Sequence, residues 1–506
     1  MESPSPKPNI IFIMSDDHAA HAMSCYTGRM TGRPEINRTP NIDRIAKEGL
    51  ILDNCFCTNS LCSPSRACIL TGQYSHVNGV INITTHFDNT RDHVAKILQK
   101  NGYQTAMFGK WHLGKGEKHQ PTGFDRWCVL PGQGKYHDPR MIDMGKRKRV
   151  KGYVTDIITD LCLDWLKQRD ETKPFFVMCH HKAPHRSWEP DEKHMPLYQD
   201  EEIPYPITYD DDYDTRSDAA KHAFMRIDEA LNPYDFKLKL PLWKYNDYWK
   251  PIGPPEDIHD YKIKTKEGEV LTFESQEELS KWKYQRYMKD YLRCIASIDD
   301  NIGRILDYLD KESLVDNTII IYTSDQGFFL GDHGWFDKRF IYEESLRMPF
   351  VMRYPDEIAP GTIKNEMVLN VDFAELFLDY AGIKVPEGMQ GRSFRPIAKG
   401  ETVEDWRTSM YYRYWLNGTY HKVYSHYGIR THDHKLVYFY CDPLGQKGGK
   451  IDPHEPMWEL FDLQKDPFEL KNVYNNPDYK DVVQNLKKEM HKLQEELKDE
   501  PVEEVG

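Results

Sequence analysis

No C-x-x-C pair with zinc-ligand spacing occurs among the ten cysteines of this 506-residue chain, which excludes the common structural zinc sites. Ten cysteines are also too few, in a chain this long, to form a disulfide framework. Long apolar runs are missing; Ile10 to Met14 is far too short to span a membrane. The opening Met1-Glu-Ser-Pro-Ser-Pro lacks the charged start and apolar centre of a signal peptide. The expectation is therefore a cytoplasmic protein or a chain given in its mature form. Positive charge is in deficit: the net charge is −13 and the isoelectric point about 5.9. That excludes a general nucleic-acid-binding face but not a local basic pocket for an anion. The length allows one large domain and a smaller one. Aromatics are plentiful, with 11 tryptophans and 31 tyrosines, and serve equally as carbohydrate platforms or as ordinary packing.

What is present is a series of short apolar runs that stop at charged residues. Pro8 to Met14 reads as a strand buried on both faces and ends in Ser15-Asp16-Asp17-His18. Tyr103 to Phe108 ends in Gly109-Lys110-Trp111-His112, where the two-residue spacing puts Lys110 and His112 on one face of an extended segment. Pro174 to Cys179 ends in His180-His181-Lys182-Ala183-Pro184-His185, and Thr318 to Thr323 in Ser324-Asp325-Gln326-Gly327. In open α/β sheets, ligands bind at the C-terminal strand ends. Asp16, Asp17, Asp325 and Gln326 offer only oxygen, which suits a hard cation, calcium best. Three carboxylates would repel one another without a divalent ion. A helix-capping role accounts for one of Asp16 and Asp17 but not both.

Amphipathic helices are predicted over Thr39–Gly49, His93–Asn101 and Tyr153–Lys167, and a long one over Tyr287–Leu309. Residues 186–285 lose the strand-helix alternation and are rich in Asp, Pro, Tyr and Trp (Trp188, Trp243, Trp249, Trp282). They read as an insertion shaping a substrate pocket, or as a loop that only packs. Beyond Gly391, short strands over 410–415, 427–431, 434–440 and 459–463 precede a charged helix over Val482–Leu497. The apolar stripe of that helix, Leu486, Met490, Leu493 and Leu497, must dock on the fold. The division is residues 1–395 as an α/β catalytic domain and 396–506 as a smaller α+β subdomain.

The most informative stretch is Leu61 to Gly72, L-C-S-P-S-R-A-C-I-L-T-G. Ser63 as N-cap, Pro64 in the first turn and Gly72 as stop predict a helix. Cys62 then lies at a helix N-terminus that favours an anion, with Arg66 one turn on. Alone, C-x-P-x-R does not displace the plainer reading of Cys62 as a buried structural thiol, the commonest fate of a free cysteine.

This string resembles the active-site signature of the type I sulfatases, in which the cysteine is oxidised to formylglycine. The K-x-H at Lys110, the A-P-H at His185, the T-P-N-x-D-x-x-A-x-x-G string from Thr39 and the E-L-F-D-L-x-x-D-P string near the C-terminus resemble the same family. The resemblance implies an alkaline-phosphatase-like fold: a large, mostly parallel mixed sheet flanked by helices. It implies sulfuric ester hydrolysis by a formylglycine diol with one calcium ion. Asp16, Asp17, position 62, Asp325 and Gln326 (where relatives often have Asn) would be its ligands. It implies that Lys110 and Lys338 hold sulfate, that Arg66 orients the formylglycine, that His185 protonates the leaving oxygen and that His112 takes the diol proton. His180 and His181 are secondary candidates. A thiolate beside a hard ion is a chemical mismatch that the oxidised residue removes.

The string Asp325 to Arg339 is similar to bacterial sulfatases of sulfated sugars, N-acetylglucosamine-6-sulfatases foremost, then iduronate-2-sulfatases and algal-polysaccharide sulfatases. The expectation is an exo-acting carbohydrate sulfatase that needs a formylglycine-generating enzyme as partner and works in the periplasm or as a secreted protein. A phosphoester or phosphonate hydrolase of the same superfamily is the alternative.

Overall fold

The computed structural model describes residues 7–505 apart from positions 31, 240–250, 252–256, 259–261, 267 and 453. Ten strands form the main sheet: β1 Asn9–Ser15, β2 Leu50–Leu52, β3 Gln104–Lys110, β4 Arg126–Leu130, β5 Arg140–Asp143, β6 Lys146–Arg149, β7 Phe175–His180, β8 Thr318–Ser324, β9 Phe350–Arg353 and β10 Thr362–Lys364. Their order is β10-β2-β9-β8-β1-β7-β3-β4-β5-β6. The five central strands, β8 to β4 in that order, run parallel. The predicted strand at Phe350 is antiparallel to β8; a buried apolar run does not encode its direction.

Apolar residues on both faces are what a doubly covered strand requires. In β1, Ile10, Phe12 and Met14 join one core and Ile11 and Ile13 the other. On the first side Phe12 meets Phe373 and Phe377 of the helix Asp372–Tyr380, edge to face at 6.0 and 5.3 Å. On the second lie Val154–Lys167 and a helix that runs from Gln276 to Lys311. That helix begins eleven residues before the predicted start, so the 186–285 segment ends earlier than expected. Ser275 caps it, its hydroxyl accepting from the Glu278 amide at 3.1 Å. Among the described residues, the segment before it holds only short helices and strands, and Trp188 from it is fully buried. Trp243 and Trp249 fall outside the described residues.

Gly109 is required where it stands: a Cβ there would lie 1.9 Å from the His180 carbonyl oxygen of the neighbouring strand. This close approach seats β3 against β7 beside the site. Four antiparallel strands, Ser409–Tyr414, His426–Thr431, His434–Phe439 and Met457–Asp462, form a second sheet. The last helix, Lys480–Leu497, packs Leu486 and Met490 into the same core as that sheet. Among the described residues no helix is long and apolar enough to cross a membrane.

Candidate active site

Strand register builds the site. Ser15 pairs with Ser324, and Met14 and Gly109 both pair with His180. The residues that leave these strand ends therefore emerge side by side. Asp17 has a left-handed backbone, φ 66°, which a non-glycine residue adopts only when its surroundings compensate. Here the Tyr291 hydroxyl donates to the Asp17 carbonyl at 2.7 Å and accepts from the Ala19 amide at 2.9 Å, while the Asp17 amide donates to Asp325 Oδ1 at 3.2 Å.

One oxygen each of Asp16, Asp17 and Asp325 lies within 4.8 Å of the others, all three side chains buried. Cations surround them. Lys338 Nζ donates to Asp17 at 2.6 and 2.7 Å, Arg66 Nε to Asp325 Oδ2 at 2.9 Å, and Lys110 is paired with Asp16. Burial pushes Asp17 up to about 6, against the pull of Lys338. Burial alone would lower Lys338, but Asp17, Cys62 and Asp337 together outweigh it and hold the ammonium charged. Gln326 turns its amide nitrogen to Asp17, and its Oε1 is buried with no hydrogen-bond partner. That orphaned carbonyl oxygen next to three carboxylates is a donor set for a hard cation.

Cys62 is the first residue of the helix Cys62–Thr71, which is buried throughout and ends on Gly72 in the left-handed conformation. The N-cap is Leu61, not Ser63: the Ser63 hydroxyl instead donates to the His112 carbonyl at 2.7 Å. Cys62 Sγ lies 3.3 Å from Asp16 Oδ1, and an Asp16 oxygen, Cys62 Sγ and a His185 nitrogen are all within 4.8 Å of one another. Burial pushes the thiol up to about 12, so an unmodified Cys62 is not a thiolate at neutral pH. His185 Nδ1 donates to the Arg186 carbonyl at 2.8 Å, which leaves Nε2 facing Asp17 Oδ2 at 3.8 Å. Burial, then Lys110, holds both His185 and His112 well below the usual imidazole range.

The structure brings all ten predicted residues to one strand-end cluster, with two local differences. Strand β3 stops at Lys110 and His112 has φ 53°, so the two are not placed by extended alternation. Arg66 braces Asp325 and the Lys110 carbonyl, the latter at 2.6 Å; it reaches the metal-type donors more than position 62. His180 Nδ1 stands 3.5 Å from Arg66 Nη1, and His181 packs on Cys179.

Sequence reasoning missed Asp337, Arg339, His421 and Lys182. Arg339 Nε donates to Asp337 Oδ1 at 2.9 Å, and His421, from the C-terminal part, approaches Asp337 Oδ2 at 3.4 Å. Adjacency to Lys338 was the signal for Asp337 and Arg339; His421 comes from far along the chain and carried none. Lys182 lies over the Tyr136 ring at 4.5 Å and donates to the Arg186 carbonyl at 3.1 Å. Burial holds it down to about 8, below the ordinary 10.5. Between those values the unfolded chain binds the extra proton, so stability rises with pH across that window, by about 3 kcal/mol. Lys182→Met is expected to flatten the rise in denaturant titrations at the two ends of the window. An unchanged slope would mean that the fold leaves this lysine's proton affinity alone.

The comparisons agree with this geometry. The sulfatase pattern matches residues 8–383, and that of the N-sulphoglucosamine sulphohydrolase C-terminal region matches 331–496. An N-acetylglucosamine-6-O-sulfatase of Bacteroides thetaiotaomicron is 44% identical over 97% of this chain and 87% of its own length. An ulvan-active sulfatase of Formosa agariphila is 26% identical over 96% of this chain and 80% of its own. A solved structure in complex with its substrate D-glucosamine-2-N,6-O-disulfate superposes with a TM-score of 0.85 at 41% identity, covering 97% of this chain and 98% of the other. The phosphonate monoester hydrolase of Agrobacterium radiobacter shares the alkaline-phosphatase-like fold at a TM-score of 0.70 and 22% identity, covering 97% of this chain and 96% of its own. A family pattern spanning most of the chain, together with a relative 44% identical over 97% of it, makes this chain a member of the sulfatase family, the sulfuric ester hydrolases.

Proposed function

We propose that the enzyme removes sulfate from 6-sulfated glucosamine units at the ends of polysaccharide-derived oligosaccharides. In this reading it uses formylglycine made from Cys62 by a formylglycine-generating enzyme and one calcium ion, and it acts in the periplasm or outside the cell. The observation that carries the reading is Cys62 Sγ at 3.3 Å from Asp16 Oδ1, inside a buried ring of carboxylates and ammonium groups. A thiol held near 12 is a poor nucleophile and a soft partner for oxygen-seeking ions; an oxidised side chain suits both neighbours. The named substrates of the similar proteins support the sugar.

Asp16, Asp17, Asp325 and Gln326 would hold the ion. When bound, calcium supplies a hard positive charge, and formylglycine supplies an oxygen nucleophile. Lys110 and Lys338 offer ammonium charge to the sulfuryl oxygens, where negative charge builds as the ester breaks. His112, its pKa lowered by burial and then by Lys110, is a neutral acceptor for a proton near position 62. His185 keeps its Nδ1 proton on Arg186 and presents Nε2 to the leaving oxygen. An anionic ester beside it raises its proton affinity, which a general acid needs. Residues 396–506, taken as a subdomain, complete the pocket through His421.

Mass spectrometry of the peptide bearing position 62 tests the modification: an intact thiol in active protein would sink it. Sulfate release should stop with EGTA and return with calcium. Faster turnover of aryl phosphate than of sulfated glucosamine would favour the phosphoester alternative.

A further inference from the structure

A cleft of about 750 Å³ opens directly beside the site. Trp111, His112 and Gln133 are part of its lining, and Gln133 accepts from the same Lys110 ammonium that pairs with Asp16. The cleft is thus continuous with the sulfate position through one side chain.

Its walls are cationic in a chain whose net charge is −13. Lys115, Lys135, Arg140, Arg147 and Arg149 line it, against a single carboxylate, Asp138. Arg149 pairs with Asp138 at 3.5 Å; among the described residues the other four cations have no ion pair. The hairpin β5–β6 adds an energetic argument. Arg140 pairs with Arg149 across the strands, and Ile142 with Arg147. Directly opposed side chains leave from the same face, so three guanidinium groups share the cleft side, and opposed like charges destabilise a ladder. Folding alone gives no reason for Arg140 opposite Arg149. Charge on an exposed edge strand does deter aggregation, but Lys146 and Lys148 on the alternate positions already serve that role. Guanidinium forks match sulfate and carboxylate oxygens in two-point contacts.

We propose that this cleft is a further saccharide-binding subsite, which holds the anionic units of a sulfated or carboxylated oligosaccharide beyond the unit whose ester is cut. The assignment rests on the saccharide reading above. It makes the enzyme selective for polyanionic chains over the isolated sulfated sugar.

The test compares a sulfated glucosamine-containing tetrasaccharide with glucosamine 6-sulfate. Two measurements are made: kcat/KM, and equilibrium binding to the full-length Cys62→Ala protein, which holds substrate without turning it over. The wild-type enzyme should prefer the tetrasaccharide. Arg140→Glu/Arg147→Glu should reduce that preference at least about tenfold with the monosaccharide constants unchanged, and Arg140→Gln/Arg147→Gln should give an intermediate loss. Raised salt should weaken tetrasaccharide binding more in the wild type than in the reversed variant. No preference in the wild type, an unchanged preference in both variants, or equal competition by single-stranded DNA would each overturn the subsite. If the unsubstituted enzyme cleaves neither saccharide while the Cys62→Ala protein still binds the tetrasaccharide through these arginines, the subsite stands and the substrate reading falls.

Discussion

Cys62→Ala is expected to reduce kcat for sulfate release by about ten-thousandfold or more, because it would delete the group proposed to form the bond to sulfur. Stability should barely move. The change removes a single buried sulfur from the helix Cys62–Thr71, a loss of about 1 kcal/mol, worth no more than about 2 °C in Tm for a chain this large. Full sulfate binding with no release is the pattern that separates a missing nucleophile from a disordered site. If the variant kept activity within about tenfold of wild type, position 62 would have no part in the chemistry and the roles assigned around it would go with it.

Lys338→Met should have the second largest effect, and on two readouts at once. Its ammonium touches both oxygens of Asp17, at 2.6 and 2.7 Å, and is almost wholly shielded from water. Losing it leaves a buried carboxylate without its cation, at a cost of about 3 kcal/mol, and would remove a charge from the proposed sulfuryl position, lowering kcat/KM about a thousandfold. Calcium discriminates the two losses. If Asp17 is an ion ligand, excess calcium should restore much of the melting temperature and little of the activity. Calcium restoring neither would argue that Asp17 serves Lys338 alone.

The parts of the fold legible in the sequence are those where burial leaves a one-dimensional trace. Ile10 to Met14 and Thr318 to Thr323 are continuous apolar runs because both sheet faces are covered, and each stops where polar residues begin. Since parallel strands end at one edge, polar residues after separate runs had to meet, and this placed Asp16, Asp17, Asp325 and Gln326 together. The rest depended on partners distant in the chain. The helix Pro40–Lys47 has no cap of its own; Asp299 accepts from the Asn41 and Ile42 amides instead, at 3.0 and 2.8 Å. His421 reaches Asp337 only after the C-terminal sheet has docked. The left-handed backbones of Asp17, His112, Asp337, Arg339 and His421 were not legible in composition: Asp and His enter that region more readily than most residues, but most of the described Asp and His of this chain do not adopt it. The early start of the helix at Gln276 did leave one: Ser275 and Glu278 form the S-x-x-E pattern of a capping box, overlooked because the first turns are largely polar.

The burial of every residue from Cys62 to Thr71 also bears on the proposed oxidation of Cys62. In the finished fold the thiol is out of reach of a second enzyme. If Cys62 is oxidised as proposed, the modification has to reach the nascent or still unfolded chain. Synthesis that outran it would then yield folded but inactive molecules, and specific activity in a preparation would measure how the oxidation raced against folding.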